Sequence, residues 1–183
     1  MPTTTEHAAR PGERDIRRIV YTAEEIAERV AAMGREISEA YDPDDDLLVL
    51  GLLKGSFIFL ADLVRHIEVP LQVDFLVAAS YGADQVSSGD VRLLYDPEAD
   101  LEGRAVVVVE DIVDSGTTLA RVVPLLESRR PRSLEICVLL HKRLKKLEPE
   151  PRWVGFDAPR EFLVGYGLDY SEHFRHLPYI ASI

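Results

Sequence analysis

The chain reads as an α/β domain on a mostly parallel, doubly wound sheet flanked by helices, with a small lobe built from its terminal segments. Three observations predict this. The stretches Leu47 to Leu53, Val106 to Val109 and Leu134 to Leu140 are apolar almost throughout, as strands buried on both faces are. They alternate with two sets of apolar residues at helical spacing, Ile26, Val30, Met33 and Ile37, then Leu119, Val122, Val123 and Leu126. Length is the third: 183 residues that are 46% hydrophobic bury one sizeable core, most simply as a single domain over residues 19–183.

The elements follow in order. Residues 1–18 begin with Thr, Ala and Pro in no periodic pattern and read as a mobile tail. Thr22-Ala23-Glu24-Glu25 is a capping-box pattern, so a helix opens there and ends before Asp42-Pro43. Leu47 to Leu53 is a strand, Lys54-Gly55-Ser56 a turn, Phe57 to Val64 a helix closed near Pro70, and Leu71 to Ala79 a strand. From residue 81 to 100 the composition shifts to Gly, Ser, Asp and Gln around the short patch Val91 to Tyr95. That is too long for an ordinary connector, and it predicts a flexible lid. Strand Ala105 to Val109, helix Thr117 to Ser128 and strand Leu134 to Leu140 come next. Short apolar runs follow at Trp153 to Phe156 and Phe162 to Val164, within a terminal segment, 150–183, assigned to the small lobe.

Composition excludes several function classes. A formal net charge of -11 argues against a general binder of nucleic acid or anionic membrane. The single cysteine, Cys137, excludes an internal disulfide and a multi-cysteine zinc site, and it sits in an apolar run as a core thiol would. No segment reaches the about 18 apolar residues of a membrane span, and the start lacks a signal-peptide apolar region, so a cytoplasmic protein is expected. His7, His66, His141, His173 and His176 show no metal-ligand spacing, and neither a P-loop nor a dinucleotide fingerprint is present.

The chemistry concentrates after the valine strand. Glu110, Asp111 and Asp114 precede or enter the turn Ser115-Gly116-Thr117-Thr118, which opens a helix at the carboxyl end of a strand. A helix start with three hydroxyls and a close-approach glycine is an anion cradle suited to phosphate. Glu110 and Asp111 would repel that phosphate unless they accept hydrogen bonds from sugar hydroxyls or hold Mg²⁺ through water. A diol beside a phosphate is a ribose phosphate. Asp114 is a third carboxylate, able to face the reacting carbon or the incoming group. Lys54-Gly55, at the end of the first apolar strand, should open on the same sheet edge as a second anion site.

With those residues on the page, the chain resembles the type I phosphoribosyltransferases, whose signature is an apolar strand, two acidic residues and a Gly/Thr-rich phosphate loop. The other residues narrow the resemblance to the hypoxanthine-guanine phosphoribosyltransferase family, from about Ile19 onward. It implies the type I phosphoribosyltransferase fold, with a hood lobe and a flap that starts at Ser80-Tyr81 and excludes water. It implies transfer of the 5-phosphoribosyl group from phosphoribosyl pyrophosphate to hypoxanthine or guanine, giving IMP or GMP and pyrophosphate, with Mg²⁺ as cofactor.

The site roles it implies are these. Glu110 and Asp111 hold ribose and, with Asp169, metal. Asp114, Ser115, Gly116, Thr117 and Thr118 hold the 5-phosphate, with Asp114 also the acid/base. Lys54, Gly55 and Arg175 hold pyrophosphate, with a cis peptide before Lys54. Lys142 binds the 6-oxo group, Trp153 stacks on the purine, and Val154 and Asp169 read its edge. A homodimer or homotetramer is implied, with neither nucleic acid nor membrane as partner. Two alternatives remain open at this point: a phosphoribosyl pyrophosphate-sensing regulator, and a sister transferase for another base such as xanthine.

Overall fold

The first helix forms as its pattern predicts. In α1 (Ala23–Ser38) the Thr22 hydroxyl accepts the Glu25 N–H at 3.2 Å and the Glu25 carboxylate accepts the Thr22 N–H at 2.8 Å, closing the capping box. Ile26, Val30, Met33 and Ile37 are buried along one stripe. The computed structural model describes residues 15–78 and 93–183.

The central sheet contains β2 (Leu47–Leu52), β3 (Leu71–Ala78), β4 (Leu93–Tyr95), β5 (Ala105–Val113), β6 (Ser133–His141) and β7 (Trp153–Asp157), in the order β4-β3-β2-β5-β6-β7. Every pairing is parallel except β3 with β4. Both faces are covered. Helix α1 and α2 (Phe57–Leu63) bury Phe59, Leu60 and Leu63 with Val49, Val107 and Val109 on one face. On the other, α3 (Thr117–Glu127) buries Leu119, Val122, Val123 and Leu126 with Leu48, Leu50, Val106 and Val108. Burial on two sides is why these strands are apolar at consecutive positions instead of alternating. Cys137 is fully buried in the first of these cores.

A second, three-stranded antiparallel sheet joins the chain ends: β1 (Arg18–Tyr21), β9 (Ile180–Ser182) and β8 (Leu163–Val164), in the order β1-β9-β8. It forms the small lobe and moves three expected boundaries. The tail was expected to run to residue 18, but the Arg17 N–H donates to the Ser182 carbonyl at 2.9 Å and Arg18 pairs with Ser182, so the strand begins there. Residues 93–95 of the expected lid are an edge strand hydrogen-bonded to β3. Within the segment assigned to the small lobe, residues 153–157 are instead the sixth strand of the main sheet, because Val154 and Phe156 pair with Val138 and Leu140. Residues 1–14 of the expected tail and 79–92, which include Ser80, Tyr81 and the first part of the expected lid, lie outside the described residues.

Candidate active site

The sheet order places the site. From β2 the chain passes through α2 on one face, while from β5 it passes through α3 on the other, and β2 and β5 are neighbours. At such a switch point the connections diverge and leave a crevice at the carboxyl ends of the strands. The crevice here is a cavity of about 730 Å³ lined by eight of the residues singled out from sequence: Lys54, Gly55, Glu110, Asp111, Thr117, Thr118, Asp169 and Arg175. Arg121 and Glu172, which sequence reasoning passed over, line it as well.

The acidic pair lies inside β5, not beyond it, because the strand continues to Val113 to match β6, with Glu110 opposite Val138 and Val113 opposite His141. Glu110 is only 6% exposed, and burial, then the charge of Asp111, pushes its carboxyl up to about 8. Burial likewise raises Asp111 to about 6. Backbone N–H groups and Arg175 work against that rise, and Asp169 adds to it. A carboxyl that keeps its proton near neutrality can donate as well as accept, which suits the two-way hydrogen bonding of sugar hydroxyls.

The Lys54-Gly55 turn packs directly on Asp111. A β-carbon at residue 55 would overlap the Asp111 carboxylate, so only glycine permits the approach. The buried Ser56 hydroxyl donates to the Leu52 carbonyl at 2.6 Å and anchors the turn, whose Leu53–Lys54 peptide is cis.

Gly116, the residue before helix α3, is left-handed at φ 73° and offers no capping side chain. Its first turn holds no acidic residue, whereas α1 has Glu24 and Glu25 there. The Ser115 and Thr117 hydroxyls are 2.8 Å apart on the approach to the helix. The Thr117 N–H makes only a long, 3.4 Å bond to the Ser115 hydroxyl, which leaves this N-terminus available to an external anion.

Three cations in and beside the crevice are held by carboxylates. Lys54 is 3.0 Å from Glu172 and Arg175 is 2.8 Å from Asp169. Lys142 is 3.1 Å from Asp114. The Lys142 side chain is 8% exposed, and its backbone N–H donates to the Val113 carbonyl at 3.0 Å, so the ends of β5 and β6 present Asp114 and Lys142 together.

The expected metal set is not assembled by protein groups alone. Among the described residues no cluster of three or more His, Cys, Asp or Glu side chains is placed to hold an ion. Asp169 spends one oxygen on Arg175 and the other on the Glu172 N–H at 2.8 Å. The donors present fit a cation that takes one or two carboxylates and draws its other oxygens from phosphates and water, which is the usual habit of Mg²⁺.

The base-binding assignment of Trp153 and Val154 is not supported by their positions. Trp153 is 5% exposed, packed near Tyr41 and under the Arg152 guanidinium, with no ring face free for a ligand. The Val154 carbonyl is already taken by Arg29, which donates to it at 2.8 Å and to the Gly155 carbonyl at 3.0 Å. The physical reason is position. Trp153 pairs with Cys137, four residues short of the β6 end, so it lies well below the edge where the cavity opens.

Phe162, by contrast, is 52% exposed and edge-on at 5.6 Å to Tyr170, which directly follows the cavity-lining Asp169. Its sequence signal was adjacency. Phe162-Leu163-Val164-Gly165 runs straight into Gly167-Leu168-Asp169, while Trp153-Val154-Gly155 only mimics the aromatic-aliphatic-glycine pattern.

Comparison with known proteins places the chain in a family. A family model described as the phosphoribosyl transferase domain matches residues 18–171. The hypoxanthine phosphoribosyltransferase of Escherichia coli (strain K12) is 47% identical over 161 residues, covering 87% of this chain and 90% of that protein. The hypoxanthine-guanine phosphoribosyltransferase of Mycobacterium tuberculosis (strain CDC 1551 / Oshkosh) is 43% identical, covering 99% of this chain and 96% of that protein. Among solved structures, a hypoxanthine phosphoribosyltransferase from Staphylococcus aureus superposes with a TM-score of 0.87 at 36% identity, covering 97% of this chain and 96% of that one.

Proposed function

The chain belongs to the phosphoribosyl transferase domain family, and from that premise we propose how its residues divide the work. The reaction is transfer of the 5-phosphoribosyl group from phosphoribosyl pyrophosphate to hypoxanthine or guanine, giving IMP or GMP plus pyrophosphate, a purine-salvage step. The observation that carries the assignment of roles is the gathering of the α3 N-terminus, the acidic pair and the Lys54-Gly55 turn around one cavity.

Thr117 and Thr118, with Ser115 and Gly116, take the 5-phosphate on open N–H groups and hydroxyls. Glu110 and Asp111 take the ribose hydroxyls. Lys54 and Arg175 exchange their carboxylate partners for the pyrophosphate as negative charge leaves the sugar carbon, so the clamp strengthens where the transition state needs it. Asp114 faces the sugar carbon and accepts the purine proton. Lys142 donates to the 6-oxo group. An ammonium group accepts no hydrogen bond from an amino group, so adenine is rejected. Phe162 supplies the stacking surface in place of Trp153. One or two of Glu110, Asp111 and Asp169 would hold Mg²⁺, which would supply further positive charge to the leaving pyrophosphate.

No helix among the described residues is long and apolar enough to cross a membrane, and a cytoplasmic location is the reading that accompanies the activity. A homodimer or homotetramer is supported by Phe57, Val73, Phe75 and Tyr95, large apolar residues left 37 to 44% exposed on α2, β3 and β4. Light scattering on the eluting protein gives the stoichiometry.

The deciding experiment is a spectrophotometric assay with phosphoribosyl pyrophosphate and Mg²⁺, offering hypoxanthine, guanine, xanthine and adenine separately. Turnover of hypoxanthine or guanine with adenine inert is expected. Binding of phosphoribosyl pyrophosphate without turnover of any base would overturn the reading.

A further inference from the structure

We infer that Arg121 is a phosphate-binding residue that selects phosphorylated over unphosphorylated ligands, an inference that rests on the reading above. Thr117, Thr118 and Arg121 all line the cavity. They are three and four residues apart on α3, so they share one face, while Leu119, Val122 and Val123 occupy the buried one. Helix side chains lean toward the helix N-terminus, which carries the exposed Arg121 guanidinium back over the two threonines, toward the N–H groups that would meet a phosphate.

Two electrostatic observations point the same way. Among the described residues no carboxylate lies within ion-pair distance of Arg121, whereas Lys54, Lys142 and Arg175 are each held at 3.0, 3.1 and 2.8 Å. Arg121 therefore gives up no partner among the described residues when it meets an incoming anion. A cation leaning on the positive end of a helix dipole is also unfavourable unless an anion sits between them. The first turn of α3 contains no acid to play that part. The doubly charged monoester at the end of a sugar phosphate or nucleotide supplies it. With a formal net charge of -11, the molecule has no diffuse positive field to draw such a ligand in, so a local cation matters more.

The test compares wild type with Arg121→Gln and Arg121→Lys. Affinities for IMP, inosine and inorganic pyrophosphate are measured by calorimetry, and KM for phosphoribosyl pyrophosphate and hypoxanthine by steady-state assay. A hydrogen bond to a charged group lost from the site weakens binding about tenfold to a hundredfold. That loss is expected in Arg121→Gln for IMP and in KM for phosphoribosyl pyrophosphate, with Arg121→Lys recovering part of it. Inosine, pyrophosphate and the KM for hypoxanthine are expected to stay as in wild type.

Unchanged IMP affinity in Arg121→Gln, in an active wild-type background, would overturn the inference alone. An equal loss for pyrophosphate would overturn it too, since the guanidinium would then serve the other end of the cavity. A wild-type protein that turns over no 6-oxopurine would overturn the underlying reading and this inference together.

Discussion

Replacing Glu110 with glutamine should make the folded protein more stable at alkaline pH while impairing its activity. Glu110 sits 6% exposed inside β5, and burial followed by the Asp111 charge raises its carboxyl from 4.5 to about 8. In the unfolded chain it ionises near its ordinary value, so between about 4.5 and about 8 the folded state holds the extra proton. Stability contributed by the neutral carboxyl is complete below that window and is lost as pH rises through it, at about 1.4 kcal/mol per pH unit. From pH 5 to pH 8 the wild type should therefore lose roughly 3 to 4 kcal/mol through this group alone. Glu110→Gln, close in shape to the protonated acid, should lose none of it.

The assay is urea unfolding followed by circular dichroism, at fixed protein concentration, with EDTA present, at half-unit steps between pH 5 and 8.5. Any constant offset from the amide cancels, because the readout is how the difference between the two proteins changes with pH. Asp111 is common to both. A difference that stays flat across the window, or that favours wild type more at pH 8 than at pH 5, would refute the argument that β5 buries a charge-averse carboxyl.

The remaining predictions concern the reacting groups and their supports. Asp114→Asn should lower kcat about a hundredfold or more with little change in KM, the signature of lost proton transfer; equal losses in both would count against that role. Lys142→Ala should raise the KM for hypoxanthine and leave phosphoribosyl pyrophosphate affinity nearly intact, and loss of the latter would refute the assignment. Trp153→Ala should destabilise the fold by roughly 3 to 5 kcal/mol, whereas Phe162→Ala should raise the KM for hypoxanthine with Tm almost unchanged. The opposite pattern would restore Trp153 to the site. Gly55→Ala should abolish phosphoribosyl pyrophosphate binding while preserving far-ultraviolet circular dichroism, since its β-carbon displaces the Asp111 carboxylate; a fully active variant would refute that packing.

Much of the fold was legible because its determinants are local. Thr22 and Glu25 cap α1 within one turn, and the spacing of Leu119, Val122, Val123 and Leu126 marks the buried stripe of α3. The turn before α3 was legible for the same reason, with Ser115 to Thr118 forming it in four consecutive residues. What failed depended on partners distant in sequence. Arg18 forms a strand because Ser182 is opposite it, and β5 runs to Val113 because β6 is long enough to pair with it. Trp153 looked like a base-stacking residue because an aromatic before Val-Gly has the same local pattern wherever its strand sits.

By itself, then, the sequence determined the alternation of strands and helices, the Lys54-Gly55 and Ser115 to Thr118 turns and the acidic pair, since propensity, capping and short motifs act within a few residues. Only the tertiary structure decided which aromatic is buried and which is exposed, which cations already have partners and how far the carboxyls are driven toward neutrality. Burial and ion pairing are sums over groups from many parts of the chain, and no local pattern contains that sum.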